Sequence, residues 1–333
     1  KKKVEENGRR KSEYAFGCNP CSEIILRPYQ FCNLTEVVCR EADHLDILKE
    51  KVRLATILGT FQSTLTDFKY LRRVWRDNTE EERLLGVSLT GILDCYILNN
   101  GTKEAIQRIL LELKEVAIET NKKVAKDLGI PQSTAITCIK PSGTVSQLVD
   151  SASGIHARHN DYYIRTVRGD NKDPLTQFMK EAGIPIEPDI TKPESVSVFS
   201  FPMKSPMGAI TRTAMTAIEQ LDYWLMFQRH WCEHKPSVTV SVKEEEWMDV
   251  GAWVFKNFDE VSGISFLPFS EHTYKQAPYQ DIDEKEYSKL MESMPKAIDW
   301  SKLRDFEKED TTNGSKELAC TAGVCEVVDI EAS

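Results

Sequence analysis

Short apolar runs typical of strands alternate with amphipathic helical segments along most of the chain. The clearest helix is predicted over 103–128, where Gly129 and then Pro131 end it. Residues 45–66 carry apolar side chains at helical spacing and predict a second amphipathic helix. Strands that alternate with helices usually pair in parallel through crossover connections. The pattern therefore predicts an α/β fold.

Other segments are predicted in the same way, from short apolar runs for strands and from helical spacing of apolar residues for helices. Between residues 17 and 40 the chain is expected to form loop, strand, loop and strand. The region 80–98 is predicted as helical. Further predicted strands cover 135–139, 161–167, 195–201, 237–242 and 264–267, and further predicted helices begin at Val145 or cover 213–234, 250–257 and 284–294.

The two ends of the chain differ in composition from its middle. Residues 1–16 are polar and predict a flexible lead-in, and residues 305–333 are acidic and polar and predict a mobile tail. The chain of 333 residues is long enough for one large domain or two modest ones, and the segment 17–304 between the two ends is predicted as one folded part. With 41% hydrophobic and 29% charged residues, the chain is expected to be globular.

Charge and hydropathy exclude several classes of protein. The formal net charge of −9 argues against direct nucleic-acid binding, whereas a small anionic substrate is compatible with local positive groups. No apolar run approaches the roughly 20 residues of a membrane span, and residues 1–14 lack the apolar part of a secretory signal. Nine cysteines, an odd number, then indicate reduced thiols in a cytoplasmic protein.

Four cysteines are concentrated near the start of the chain, at Cys18, Cys21, Cys32 and Cys39. A thioredoxin-type site would need a helix directly after Cys18-Asn19-Pro20-Cys21 to lower the thiol pKa, and a β-like run follows instead. Zinc is a second interpretation, although the second pair is too widely spaced for an ordinary zinc knuckle. Simple burial would leave the density of cysteines unexplained.

A fourth interpretation uses the complete string from Asn19 to Leu34. The motif Asn19-Pro20-Cys21-x-Glu23-Ile24, followed by Phe31-Cys32-Asn33-Leu34, resembles the active-site loop of ribonucleotide reductases. The Asn-Pro-Cys form is more similar to the adenosylcobalamin-dependent class II enzymes than to class I. For the segment 17–304, the resemblance implies the C-terminal half of a ten-stranded α/β barrel, built from two parallel half-sheets in opposed orientation.

The resemblance also implies a role for four residues of this loop. Cys21 would carry a thiyl radical that removes the 3′-hydrogen of a ribose, and Glu23 would take the proton of the 3′-hydroxyl. Asn19 would hold the ribose, and Cys32 would be one of two thiols that supply electrons. Residues two apart on an extended segment point to the same side, so Asn19, Cys21 and Glu23 are expected to face one substrate.

A second candidate site lies between a β-rich run and a predicted helix. Backbone N–H groups at a helix start bind anions, and hydroxyl groups add donors. The spacing is not that of a Walker loop, and taken alone the segment could be an ordinary helix cap. In the reductases a similar segment binds the substrate phosphates. The resemblance therefore predicts a phosphate site at Pro141, Ser142, Gly143, Thr144, Val145 and Ser146.

Two further cysteines, Cys320 and Cys325, lie in the polar tail. A disulfide there would constrain little, because the closed loop is tiny. A mobile dithiol can instead reduce a disulfide in a site by exchange and then return to an external reductant. The resemblance implies this role, with a thioredoxin-like protein as reductant, and two incidental cysteines are the alternative.

His230, Cys232 and His234 could suggest a metal site, because the two histidines are four residues apart. They lie at the end of a predicted helix, where the helix dipole favours histidine, so we expect no metal there. Cys95 and Cys138 lie in apolar stretches and are expected, like Cys39, to be buried thiols.

The resemblance implies reduction of ribonucleotides to 2′-deoxyribonucleotides for DNA synthesis, with adenosylcobalamin as cofactor. The substrate would be a ribonucleoside triphosphate or diphosphate. Only 20 residues precede Cys21, whereas in the family the second reducing thiol and part of the cofactor pocket lie upstream of the radical loop. We therefore expect a complementary N-terminal half as partner, as in a split or truncated enzyme.

Two alternatives remain open. A class I large-subunit fragment would share the radical cysteine but would receive the radical from a metal-containing partner subunit. A zinc-binding or thiol-redox interaction module is the alternative outside the reductases. A class III enzyme would need a glycyl-radical motif near the end of the chain, and the sequence shows none.

Overall fold

The computed structural model describes residues 2–269 and 274–307. The chain divides into two compact units. Unit 1 combines Lys1–Arg158 with Met207–Phe269, and unit 2 combines His159–Pro206 with the described part of Ser270–Ser333. The division falls inside the segment 17–304, which we predicted as one part. Within the described ranges, every helix is too short or too polar to cross a bilayer.

The described strands and helices follow each other in mixed order along the chain. The strands are β1 (Gly17–Cys18), β2 (Ile25–Leu26), β3 (Asn33–Val38), β4 (Leu85–Thr90), β5 (Thr137–Cys138), β6 (Tyr162–Asp170), β7 (Ile186–Pro188), β8 (Val196–Lys204), β9 (Val238–Val242), β10 (Ile264–Pro268) and β11 (Tyr279–Asp281). The helices are α1 (Lys2–Glu5), α2 (Leu45–Gln62), α3 (Arg73–Glu82), α4 (Tyr96–Asn99), α5 (Lys103–Leu128), α6 (Val145–Leu148), α7 (Pro174–Glu181), α8 (Ala217–His230), α9 (Trp247–Lys256), α10 (Glu284–Ser293) and α11 (Leu303–Phe306).

Unit 1 is built on parallel strands. Strand β4 pairs in parallel with β3 and β5, and β9 pairs in parallel with β10. A parallel bridge between Ile139 and Pro236 connects the two groups, with Ile139 N–H donating to Lys235 O and Ser237 N–H donating to Ile139 O. The described strands of unit 1 thus follow the order β3-β4-β5-β9-β10. The α/β prediction is confirmed, whereas these are part-sheets and not a closed ten-stranded barrel.

The two faces of this parallel array differ in chemistry. Val87 and Leu89 of β4 are fully buried in the apolar core, which α2 and α5 share. The alternate residues of the same strand, Gly86, Ser88 and Thr90, are small or polar. Strands of a buried parallel sheet usually carry apolar side chains on both faces. The small and polar face therefore marks where a site can form.

The helix predicted over 80–98 is wrong. Helix α3 ends at Glu82, Arg83 adopts a left-handed conformation with φ of 46°, and the chain then enters strand β4. Short apolar runs do not distinguish a buried strand from a helix by periodicity alone. Here the alternation of large and small residues belongs to a strand whose two faces meet different partners.

The helix predicted over 213–234 is shorter than expected. It begins with a capping box, in which Glu219 N–H donates to Thr216 Oγ1 while the Glu219 carboxylate accepts from Thr216 N–H. It ends at His230, so His234 lies beyond it. The helix predicted from Val145 has only four residues.

Unit 2 has a different architecture. Its strands pair antiparallel in the order β11-β6-β8-β7, and α7, α10 and α11 belong to the same unit. Phe178 of α7 packs against Trp300 and Phe306, with ring centroids 5.4 and 5.7 Å apart. This antiparallel sheet differs from the parallel half-sheet that the resemblance implies for the segment 17–304.

Candidate active site

The cysteine-rich loop is the turn of a short hairpin between β1 and β2. Cys18 pairs with Ile25 across the hairpin. Asn19 N–H donates to Ile24 O (3.3 Å), and Ile24 N–H donates to Asn19 Oδ1 (2.9 Å). Ser22 has φ of 66°, and its N–H donates to Asn19 O. The expected extended segment is therefore wrong, and a turn sets the directions of these side chains.

The turn places the predicted residues in different surroundings. Cys21 is half-buried at the tip, next to the exposed Pro20. Asn19 is half-buried and uses its carbonyl oxygen inside the loop. Glu23 is 1% exposed, and its Oε2 is buried without a hydrogen-bond partner among the described residues. Such an oxygen can accept a hydrogen bond from a ligand hydroxyl.

Glu23 lies close to Cys32, the predicted reducing thiol. Burial raises the pKa of the Cys32 thiol far above its usual value; the Arg10 charge opposes this rise and the Glu23 carboxylate adds to it. Burial also lowers the pKa of Lys235, which lies near Cys18 and Glu23. The structure thus brings Glu23 and Cys32 together and keeps Cys32 in the thiol form at neutral pH.

Glycine on strand β4 lets the hairpin approach the small and polar face. A Cβ atom at Gly86 would lie 2.9 Å from Ile24 Cδ1 and 3.3 Å from Cys138 Sγ. Distances this short require a neighbouring side chain to move. A larger residue at this position would therefore push against the Ile24 side chain, which belongs to the loop that carries Cys21.

His234 connects the hairpin to the sheet. Its Nδ1 accepts from Ile25 N–H (3.2 Å), and its Nε2 is 3.0 Å from Leu85 O. Burial lowers the pKa of His234 to about 3, so the ring is neutral and Nε2 carries the proton that it donates to Leu85. Lys235 N–H donates to Glu23 O (3.0 Å), which is a second connection between this segment and the hairpin.

These contacts correct the expectation for the histidine cluster. His234 does not lie at the end of α8, because that helix ends four residues earlier. Among the described residues, no group of three or more His, Cys, Asp or Glu side chains is arranged to hold a metal ion. Nothing in the sequence distinguishes His234 from an ordinary exposed histidine, because its partners come from distant segments.

Replacing His234 with glutamine is expected to remove part of the acid sensitivity of folding. The unfolded chain protonates this histidine below pH 6.5, whereas the folded chain does so only near pH 3. The unfolded state therefore binds more protons in this window, and stability falls as the pH falls. Between pH 6.5 and 5 the loss is about 2 kcal/mol from this one group.

Urea denaturation at pH 5 and pH 7 measures this difference. His44, which is exposed, provides the matched control, because His44→Gln should leave the pH dependence as it is in the wild type. An identical pH dependence in His234→Gln and the wild type would contradict the assignment of a buried neutral ring.

Two arginines of the lead-in hold the hairpin and its neighbours. Arg10 makes a two-fold ion pair with Glu82 (3.0 and 2.9 Å) and donates to Ile25 O (2.8 Å). Arg9 donates to the buried carboxylate of Glu233 (2.6 Å). These contacts differ from the flexible lead-in that we predicted. Composition did not reveal them, because arginine is usually solvated unless a folded carboxylate faces it.

The predicted phosphate loop follows β5 directly. Ser142 and Ser146 are buried, and Ser146 N–H donates to Ser142 Oγ (3.1 Å), so these hydroxyls shape the loop from inside. Thr144 is exposed. Among the described residues, none accepts a hydrogen bond from the backbone N–H of Gly143, Thr144 or Val145. Three backbone donors and one hydroxyl are thus available to an anion.

Glu36, which we did not predict, lies between the two loops. It faces Ser88 in the pairing of β3 with β4, and Ser88 Oγ accepts from Lys140 N–H (2.9 Å). Burial raises the pKa of Glu36; the Ser142 side chain and the Lys140 charge oppose this rise, and the Glu23 charge adds to it. The cysteine loop and the phosphate loop therefore meet at the same sheet face. The sequence feature that could have identified Glu36 is its position as the single charged residue in the half-buried strand β3.

The remaining cysteines divide into three groups. Cys39, Cys95 and Cys138 are fully buried thiols, as predicted, and Cys232 is buried as well. Cys18 is exposed, and a strand rather than a helix follows the hairpin turn, so the thioredoxin-type arrangement is absent from this part of the described chain. The predicted redox pair of the tail, Cys320 and Cys325, lies outside the described residues.

Comparison with known proteins gives relatives along most of the chain, although no protein-family model matches it. The chain is 31% identical over 330 residues to a probable adenosylcobalamin-dependent ribonucleoside-triphosphate reductase of Dictyostelium discoideum, covering 96% of this chain and 41% of that protein. It is 27% identical over 320 residues to the adenosylcobalamin-dependent ribonucleoside-triphosphate reductase of Euglena gracilis, covering 95% and 42%. The chain thus spans less than half the length of these relatives.

A solved structure supports the fold. The crystal structure of a B12-dependent class II ribonucleotide reductase superposes with a TM-score of 0.75 at 22% identity, covering 89% of this chain and 44% of that chain. The names of the sequence relatives agree with the family that the cysteine loop resembles. The chain is therefore a homologue, over nearly its whole length, of a part of the adenosylcobalamin-dependent ribonucleoside-triphosphate reductases.

Proposed function

We propose that this chain is the part of an adenosylcobalamin-dependent reductase that converts ribonucleoside triphosphates to 2′-deoxyribonucleotides. The observation that carries the proposal is the buried carboxyl of Glu23, with an unpaired oxygen, beside the Cys32 thiol and on the loop that holds Cys21. Similarity to reductases over 96% of the chain supports it.

The chemistry assigned to the loop replaces the 2′-hydroxyl of ribose by hydrogen. Cys21, as a thiyl radical, takes the 3′-hydrogen atom and returns it after the reduction. Glu23 accepts the proton of the 3′-hydroxyl while the 2′-oxygen leaves as water. The amide of Asn19 uses its oxygen within the loop, which leaves its NH₂ group to orient the ribose.

Two electrons and the matching protons must come from a pair of thiols, which become a disulfide. Cys32 is one of them, and its raised pKa suits this role because a neutral thiol carries its own proton to the substrate. The second thiol would come from the complementary N-terminal half. Cys320 and Cys325 would then reduce the disulfide by exchange, and a thioredoxin-like protein would reduce them in turn.

The phosphate loop would bind the triphosphate of the substrate. The backbone N–H groups of Gly143, Thr144 and Val145 supply donors without charge, and the Thr144 hydroxyl adds another. Ser142 and Ser146 support the loop through their buried hydroxyls. The number of phosphates is proposed from the names of the relatives.

The hairpin tip fits a bulky cofactor. Pro20 is exposed and Cys21 half-buried, so a large ligand outside the hairpin can approach the sulfur. Adenosylcobalamin, when bound there, would supply the acceptor of the hydrogen atom that Cys21 must lose to become a radical.

The parallel strands of unit 1 would supply one half of a ten-stranded barrel. Strand β3 is the outer member of the described array, so its free edge is where strands of the complementary half would join. This proposal accounts for the difference in length between the chain and its relatives.

The test is reduction of CTP with adenosylcobalamin and a dithiol reductant. The chain is assayed alone, and together with the complementary N-terminal polypeptide. We expect dCTP only when both polypeptides and adenosylcobalamin are present. Turnover that does not depend on adenosylcobalamin and requires a metal-radical subunit would instead establish the class I alternative. The proposal would be refuted if no dCTP formed under any of these conditions.

A further inference from the structure

Glu36 is a charged side chain on the sheet face where the two loops meet. Its neighbours in β3 point the other way, since Val37 belongs to the apolar core and Thr35 Cγ2 lies close to Gly59 of α2. Strand alternation therefore directs Glu36 away from the helices, to the side of Ser88. A carboxyl group in that position needs a function or a partner.

The surroundings of Glu36 are those of the proposed phosphate site. The Ser142 side chain interacts with its carboxyl, Lys140 provides a positive charge, and Glu23 a negative one. The Cys138 thiol is also within range of its charge. Glu36 Oε1 is nevertheless buried and has no hydrogen-bond partner among the described residues. The carboxyl is therefore desolvated without being neutralised by a close ion pair.

A substrate triphosphate at this loop would bring several negative charges next to Glu36. Two like charges in a partly buried site repel each other strongly, and the usual solution is that one group takes up a proton. A protonated Glu36 still has an oxygen that accepts from Ser142, and it gains an O–H group that can donate to a phosphate oxygen.

We propose that Glu36 is a positioning residue of the phosphate loop, which holds Ser142 and carries a proton when the substrate triphosphate is bound. The inference rests on the proposed function. It adds one residue to the phosphate site, and it couples substrate binding at that site to the uptake of a proton. Glu36 acts through the loop and the phosphate, and takes no part in the radical chemistry.

The sign of the coupling follows from the charges. Burial already raises the pKa of Glu36 in the free protein, against the effects of Ser142 and Lys140, and a bound anion raises it further. Between the two pKa values, binding takes up a proton, so affinity falls as the pH rises, by up to about tenfold per pH unit. Glu36→Gln is neutral at every pH and keeps an oxygen for Ser142.

The experiment measures CTP binding by equilibrium dialysis between pH 5.5 and 8.5, with the chain assembled with its complementary half. We expect the affinity of the wild type to fall at least fivefold more over this range than that of Glu36→Gln. Glu36→Ala, which loses the partner of Ser142, should bind weakly at every pH. Glu41→Gln changes an exposed carboxylate nearby and should behave like the wild type. The CTP phosphates also titrate in this pH range, but their effect on affinity is the same for all variants and cancels in the comparison.

The outcomes separate this inference from the proposed function. If CTP is bound and reduced but Glu36→Gln shows the pH dependence of the wild type, the inference is refuted and the reductase proposal stands. If the assembled wild type neither binds nor reduces CTP, both fail. Isothermal titration in buffers of different ionisation enthalpy counts the protons directly, and a larger uptake by the wild type than by Glu36→Gln would support the inference.

Discussion

Replacing Cys21 with alanine is expected to abolish the reduction of CTP by the assembled enzyme, by a factor of roughly 10³ or more. The proposed chemistry assigns removal of the 3′-hydrogen to this one sulfur, and alanine has no S–H group from which the radical could form. The fall should appear in kcat, measured as dCTP formed, while CTP binding by equilibrium dialysis should stay near the wild-type value.

Cys18→Ala is the matched control for this variant. Cys18 lies three residues earlier on the same hairpin, is exposed, and pairs with Ile25 through backbone atoms that the substitution leaves in place. Most of the activity should remain. Turnover by Cys21→Ala, or an equal loss in both variants with unchanged folding, would contradict the assignment of the radical to Cys21.

Replacing Glu82 with alanine is expected to destabilise the folded chain by about 3–5 kcal/mol. The variant would leave Arg10 buried without its carboxylate, since the Arg10 side chain is only 1% exposed. The same carboxylate accepts from Gln30 Nε2, which would lose its partner as well. Because Arg10 also holds Ile25 O, the hairpin with Cys21 should loosen, and activity should fall together with stability.

Urea denaturation at pH 7 measures this effect. Glu50→Ala breaks an exposed ion pair with Arg53 and is expected to leave the urea midpoint unchanged. The double variant Arg10→Met with Glu82→Met should recover much of the stability, because neither charge is then buried alone. A midpoint for Glu82→Ala close to that of Glu50→Ala would show that the pair does not hold the lead-in.

The long helices could be predicted because their signals are local. Helix α5 has the predicted bounds, since Thr102 caps its start and Gly129 ends it in a left-handed conformation. Helix α2 begins where its apolar periodicity begins. Propensity, capping and periodicity act between residues a few positions apart, so they can be recognised without knowing the tertiary contacts.

The strand β4 and the antiparallel sheet of unit 2 could not be predicted in the same way. The run 84–90 forms a strand because β3 and β5 flank it, and no residue inside the run specifies those neighbours. In unit 2, β6 pairs with β8 and with β11, and β11 lies far along the chain from β6. Whether a segment forms a strand in such a sheet is decided by partner strands that are distant in sequence.

The sequence by itself determined which chemical groups are present, because the reductase-like loop around Cys21 and the segment 141–146 are contiguous strings whose residue types suffice to recognise them. Tertiary structure alone decided that Arg10, Glu36 and His234 support these strings. The physical reason is that burial and charge are properties of a place in the fold. A carboxylate, an imidazole or a guanidinium acquires its protonation state from atoms that folding brings near, and the order of residues does not display those atoms.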